Sequence, residues 1–240
     1  MLTYEELKTK PRKFLSFTSL TLEEFTEILP AFEQTYLKVY PASQTKPGKH
    51  RDRKAGAGRK SHLDRMEQKL LFALVYQKSY PLQSVQGELF GMSQGRANEW
   101  IHRLLPILKQ ALEELGVLPG RDPKKFKLQE RNQPDAAHSI IDGTERRRQR
   151  PKQAEKQALH YSGKKKTHTD KNLVIATVKK KRVSYLSQTY PGKTHDKNMA
   201  DQENISYPRH IALHKDAGLQ GYEPQVRKLY QPKKSLTRKR

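Results

Sequence analysis

The chain contains no cysteine. Disulfide bridges and thiolate zinc sites are therefore excluded, which suits the cytoplasm, where thiols stay reduced. It has no apolar run approaching the roughly 18 residues that a membrane-spanning helix needs. Met1 to Lys10 holds acids and lacks the apolar stretch of a signal peptide. No internal repeat is found. Hydrophobic residues are also few, at 34% of 240 residues, which is low for one compact globule and suggests one or two domains. Scarcest relative to their opposites are the acids: 25 Asp and Glu against 48 Lys and Arg, a formal net charge of +23. Such an excess implies a polyanionic partner, nucleic acid first and an anionic membrane surface second.

What is present divides the chain near residue 120. Before it the apolar residues follow a helical period. Thr21 to Tyr36 reads as a helix, with Thr21 and Glu24 spaced as a capping box and Leu22, Phe25, Ile28, Leu29, Phe32 and Tyr36 forming one stripe. Pro41 to Lys60 is a linker with Pro and Gly at several positions and nearly all its charges basic; it is expected to lie along DNA or to be disordered. Asp64 to Gln77 reads as a helix with Met66, Leu70, Leu71, Leu74 and Val75 inward. A short helix follows, lined by Leu82, Val85, Leu89 and Phe90 and ended by Gly91. Ser93 can then N-cap a longer helix with Ala97, Trp100, Ile101, Leu104, Leu105 and Leu108 on one side, in which Pro106 could introduce a kink.

A short helix, a turn and a longer helix make the helix-turn-helix arrangement. At 100° per residue the last helix turns Gly95, Arg96, Glu99, His102 and Arg103 away from its apolar side. Arginine can bond guanine edges or phosphates, so Arg96, His102 and Arg103 are the candidate DNA contacts. The alternative is a helical bundle with a solvated face; the excess charge and the basic linker favour DNA.

After Pro119 short apolar runs replace the helical period. Ser139 to Ile141, Leu173 to Val178, Val183 to Leu186 and Ile211 to Leu213 read as four strands. Asp142 ends the first and Asp216 lies at the end of the fourth. From Gly143 to Arg182 there are 14 Lys or Arg and only three acids. An acid at a strand end in so basic a segment can hold a divalent metal beside a phosphate that the basic residues attract. The alternative is that Asp142 caps a turn over Asp142-Gly143-Thr144, since Asp-Gly is a common turn pair.

Four blocks carry a family resemblance. Ile141-Asp142-Gly143-Thr144-Glu145-Arg146 with Arg150-Pro151 resembles the first catalytic block of insertion-sequence transposases of the Harbinger-like DDE superfamily. His160 to Thr169, Pro191 to Lys197 and Asp216 to Tyr222 resemble the later blocks of the same group, with Leu219 where the family usually has Tyr. Leu70 to Leu105 resembles the helix-turn-helix that precedes the nuclease. The resemblance covers about residues 20 to 235.

The resemblance implies an α+β chain: an all-helical helix-turn-helix domain followed by an incomplete RNase H-like α/β nuclease domain. The expected divisions are 1–59 (N-terminal helix and basic linker), 60–118 (helix-turn-helix) and 119–240 (partial endonuclease). It further implies catalytic Asp142 and Asp216, which together with Asp196 would hold two Mg²⁺ or Mn²⁺ ions in a complete site. Arg146, Lys164, Lys165, Lys166 and His168 would contact the DNA backbone, with a solvated loop as the alternative for the lysine segment. His195 either orients a phosphate or caps the following helix. The partner would be duplex DNA, both terminal inverted repeats and target, bound in the cytoplasm at the nucleoid, with a homodimer on DNA as a possible assembly. The family pattern continues into a helical segment with a third acid, a Glu. No such block occurs before Arg240, and Glu223 is too close to Asp216 to replace it, so weak activity is expected. The alternative function is an inactive DNA-binding derivative that occupies element ends and represses transposition.

Overall fold

The computed structural model describes residues 1–41, 43–46, 49–50, 61–130 and 134–232. It forms two compact units, Met1–Val117 and Leu118–Arg240. In the first, α1 (Tyr4–Lys8), α2 (Pro11–Thr18) and α3 (Leu22–Val39) precede a short antiparallel pair, β1 (Gln44–Lys46) and β2 (Lys49–His50), and then α4 (Met66–Ser79), α5 (Gln83–Leu89) and α6 (Gln94–Glu114). Apart from that pair, the reading of the basic linker falls outside the described residues.

Local chemistry explains the helix ends. Thr21 and Glu24 close the capping box of α3, the Thr21 hydroxyl accepting from Glu24 N–H at 3.2 Å and Glu24 Oε2 accepting from Thr21 N–H at 2.8 Å. Ser93 caps α6 by accepting from Arg96 N–H at 3.3 Å. Gly91, at φ +67°, takes the left-handed conformation that ends α5 cheaply only for glycine. Helix α6 runs through Pro106 to Glu114.

Packing departs from the stripes. Helix α4 is buried all round from Gln68 to Tyr76, so it is the central helix of the unit and not a one-faced one. Leu82 and Val85 are exposed at 75% and 47%; α5 buries Gln86 and Gly87 instead, because its contact with α6 and the turn runs along that side. Helices α1 to α3 share one core with the helix-turn-helix: Leu7, Phe14, Phe25 and Phe32 are buried in the same cluster as Leu70, Phe72, Trp100 and Leu104. The physical reason is area. The faces of α2 and α3 are apolar enough to need a partner, and α4 and α6 supply one.

The second unit opens with α7 (Phe126–Gln129). Then come β3 (His138–Arg147), α8 (Ala154–His160), β4 (Tyr161–Ser162), β5 (Thr167–Thr177), β6 (Val183–Leu186), β7 (Tyr190–Pro191), α9 (Asp196–Glu203), β8 (Ala212–Lys215) and β9 (Lys228–Tyr230). They form one mixed sheet in the order β4-β5-β3-β8-β9, with β6 and β7 also paired to β5. Strand β3 is antiparallel to β5 and parallel to β8, and β8 is parallel to β9. Ile141, Leu173, Ile175 and Leu213 bury one face together with Met199 and Ala200 of α9. The opposite face leaves Ile140 45% exposed, and there His214 stacks on Tyr230 with ring centroids 4.5 Å apart. The architecture is α+β: helices first, then a mixed sheet. No described helix is long and apolar enough to cross a membrane.

Candidate active site and nucleic-acid interface

Asp142 does not end its strand. β3 continues through Asp142 and Gly143 to Arg147, so no Asp-Gly turn forms there either. What ends at Asp142 is the parallel pairing. The last registered pair of β3 and β8 is Ile141 with Lys215, and Asp142 and Asp216 are the residues that follow these two. Both carboxylates are exposed. Asp142 Oδ1 accepts a hydrogen bond from Gly143 N–H at 2.7 Å. Asp216 stands just past β8, at the N-cap of a 3-10 turn over Ala217–Leu219, and its side chain makes no capping bond. Leu219 is buried in the core beneath that turn.

Asp196 packs against the glycines that follow the two acids in sequence, Gly143 and Gly218. A Cβ placed on Gly143 would lie 2.9 Å from the Asp196 carboxylate, and one on Gly218 would lie 3.0 Å from its Oδ2. Asp196 therefore occupies the space on the face of β3 toward which Gly143 is turned. Neighbouring residues of a strand point to opposite faces, so Asp142 points to the other. Lys171 Nζ holds Asp196 Oδ1 at 3.2 Å and also donates to Thr194 O at 3.0 Å. Among the described residues no group of three His, Asp or Glu is disposed to hold a metal ion. Asp142 and Asp216 have the chemistry a divalent cation needs, as exposed hard oxygen donors. The charge of Asp196 is met by Lys171.

His195 sits at the N-cap of α9, exposed, and its ring makes no capping hydrogen bond. Lys215, beside Asp216, is fully buried; its ammonium donates to Tyr222 O at 2.6 Å and pairs with Glu223 at 3.1 Å, which occupies that acid. Arg146 is exposed on β3. Lys164, Lys165 and Lys166 occupy the exposed turn of the β4–β5 hairpin, in which Tyr161 faces His168 and Ser162 faces Thr167. His168 is half-buried with Tyr161 edge-on at 5.7 Å.

On α6, Arg96 is exposed and pairs with Glu99 at 2.8 Å. His102 is exposed, and no heavy atom lies within 4 Å of a Cβ built on Gly95. Arg103 differs: its guanidinium lies 4.8 Å from the Trp100 ring and 5.1 Å from that of Tyr40. Burial pushes the Tyr36 hydroxyl up, and the charge and hydrogen bond of Arg103 act against that shift. Arg103 is thus partly a packing residue. Arg96 and Arg103 both line a cleft of about 610 Å³ with Ser61, His62 and Trp100.

Sequence reasoning missed two positions here. A Cβ on Gly87 would lie 2.6 Å from Met92 O, so only glycine lets α5 approach the turn so closely. Gln83 Oε1 accepts from Gln94 Nε2 at 2.8 Å and from Asn98 Nδ2 at 2.9 Å, tying the two helices of the motif. The glycine was visible as an interruption in a helical pattern; the glutamine carried no signal.

Helices ending in a helix-turn-helix, followed by a mixed sheet, are consistent with a DNA-binding nuclease. Residues 141–223 match the family model of the DDE superfamily endonuclease, and residues 61–114 match that of the helix-turn-helix of DDE superfamily endonuclease. The chain belongs to the DDE superfamily and is of the transposase type. No curated protein and no solved structure gives a match. Endonucleases of this family generally use divalent metal ions, and both matched domains imply DNA binding.

Proposed function

We propose that the chain acts on the ends of an insertion element, binding duplex DNA through α6 and cutting it with Asp142 and Asp216. The observation that carries this reading is the parallel register of β3 and β8, which supports placing the two carboxylates side by side on an exposed face. The strand order β6-β5-β3-β8-β9, with α9 before β8, supports an RNase H-like arrangement. Asp142 and Asp216 would hold the divalent ions, Mg²⁺ or Mn²⁺. Such ions activate water or a free 3′-hydroxyl and stabilise the leaving oxygen of an in-line displacement. The chain's own part is positioning. Gly143 N–H orients the Asp142 carboxylate. The buried Lys215 fixes the backbone on which Asp216 begins its turn. Lys164, Lys165, Lys166 and Arg146 draw phosphate toward the sheet. The compartment is the cytoplasm at the nucleoid, the DNA the element's inverted repeats and its target, and the assembly a homodimer.

A second reading has its own observation: with Asp196 neutralised by Lys171, two carboxylates alone serve the metals. The chain would then occupy element ends without cutting them and repress transposition. One experiment separates the readings. The full chain is mixed with a supercoiled plasmid carrying the genomic flanks of its coding sequence, with Mg²⁺ or with chelator. The endonuclease reading expects Mg²⁺-dependent nicks at the flanks, lowered about 100-fold or more by Asp142→Ala or Asp216→Ala. Specific binding to the flanks with no nicking supports the repressor; nicking that survives both substitutions overturns the assigned site.

A further inference from the structure

Beside the lysine-bearing hairpin, α8 and β4–β5 enclose an open groove of about 770 Å³ whose walls include Arg150, Gln157, Tyr161, Gly163, His168 and Lys193. No carboxylate is among the residues that line it. Tyr161 is 43% exposed, and its ring is set edge-on against His168 at 72°. The basic wall is braced. Arg150 donates to Gln157 Oε1 from Nε at 3.1 Å and from Nη2 at 2.8 Å, and Gln157 Nε2 in turn donates to Pro151 O at 2.9 Å. Lys193 is anchored through its backbone N–H to Leu159 O at 3.1 Å. Gly192 lets that loop close on the sheet, since a Cβ there would collide with Thr169 Oγ1 and fall 2.7 Å from His160 O.

Within a duplex the base faces are stacked on one another, so the groove would meet phosphates, sugars and base edges but no free base face. An exposed ring that shares a groove with two cations, Arg150 braced by Gln157, matches a different ligand: a base with its face free and a phosphate attached. A phosphate group alone would satisfy Arg150 and Lys193 and leave Tyr161 without a role. We propose that this groove receives an unpaired nucleotide of the bound DNA, its base stacked on Tyr161 and its phosphate between Arg150 and Lys193. The inference rests on the DNA-processing reading above and adds to it that strands are separated locally when bound.

The test uses the full chain and two probes, a blunt duplex and the same duplex with a short single-stranded DNA tail containing 2-aminopurine. The tail should raise affinity about 10-fold and the 2-aminopurine emission should be quenched by stacking. Tyr161→Ala should remove both effects and leave blunt-duplex affinity unchanged, while Tyr161→Phe should keep them. Arg150→Gln, at an exposed position, should also reduce the advantage of the tail. A native chain that binds the blunt duplex and gains nothing from the tail overturns this inference alone. Failure to bind either probe overturns the DNA reading itself. Retention of the tail's advantage in both Tyr161→Ala and Arg150→Gln overturns the site, and a ribonucleotide tail that outcompetes the DNA tail overturns the assignment to DNA.

Discussion

In the helical unit Arg103 lies against two aromatic rings and Arg96 is paired with Glu99, whereas in the sheet unit Lys164, Lys165 and Lys166 stand together on an exposed turn. Elsewhere in the sheet unit two acids are paired off: Lys171 holds Asp196, and Arg148 and His160 both meet Asp170 at 2.9 Å. The same excess of positive charge is therefore spent differently. Among the α6 arginines part of it holds the fold or a neighbour, and on the hairpin turn it is left for a partner. An excess counted over a whole chain does not say which cations are available to phosphate; local partners do.

The largest expected effect tests whether the turn lysines are available. Binding of the full chain to duplex DNA should weaken steeply with salt, by about 1000-fold or more between roughly 50 and 200 mM if six or more phosphates are met. Replacing Lys164, Lys165 and Lys166 together by Gln should flatten the slope of log affinity against log salt by nearly three, about 0.9 for each phosphate that is no longer neutralised. Thermal unfolding of the triple variant should be unchanged within about 0.5 kcal/mol, as for other exposed substitutions. An unchanged salt slope would show that these lysines are solvated and not bound to DNA.

The arginines of α6 sharpen the comparison from the other side. Arg96→Ala should weaken DNA binding by about 1–3 kcal/mol if the side chain reads a base edge. It should change stability little, since an exposed ion pair contributes about 1 kcal/mol at most. Arg103→Ala should reverse the pattern, costing about 1–2 kcal/mol of stability through its two ring contacts and the packing of its stem. Trp100 is the chain's single tryptophan and lies in this unit, so its fluorescence during urea unfolding reads the effect directly. Arg103→Lys should not restore the loss, because a compact ammonium cannot stack as a planar guanidinium does. Loss of DNA binding without loss of stability in Arg103→Ala would return Arg103 to the interface.

These contrasts also mark what the sequence could reveal. Thr21 with Glu24, Ser93 and Gly91 were legible because a cap is written within four residues. The surround of α4 was not, since its second and third faces are covered by helices from elsewhere in the chain. α1 and α2 went unread because short helices carry too few turns to show a period. In the sheet unit the apolar runs located β6 to the residue and the cores of β3, β5 and β8, but not where pairing continues past them. Asp142-Gly143 has the composition of a turn and the role of a strand, because Gly143 makes room for Asp196, which lies 53 positions later in the numbering. The Lys171–Asp196 pair and the groove beside Tyr161 depend on register, which is set by partners distant in sequence.

The smallest effect concerns an acid that the surplus of cations does hold. Glu145 lies on β3 with Thr169 Oγ1 donating to its Oε1 at 2.6 Å. Partial burial pushes its carboxyl up, but hydrogen bonds from Ser162 and Thr169 and the charges of Lys171 and Lys165 outweigh that, so the net direction is down from the ordinary 4.5. A carboxyl lowered in the folded state binds its proton less readily there than in the unfolded chain. Its contribution is thus fully present above pH 4.5 and is lost as pH falls through the folded value below it. Because the site is partly open to solvent, about 0.5 kcal/mol or less is expected. Hydrogen exchange at the β4–β5 hairpin, corrected for the intrinsic rate, should show protection falling below pH 4.5 in the native chain. Glu145→Gln should show slightly lower protection at neutral pH and no such fall. A native chain whose hairpin protection stays level across that range, or a variant that falls in parallel with it, would mean that Glu145 is solvated and that the cations of the sheet unit are freer still.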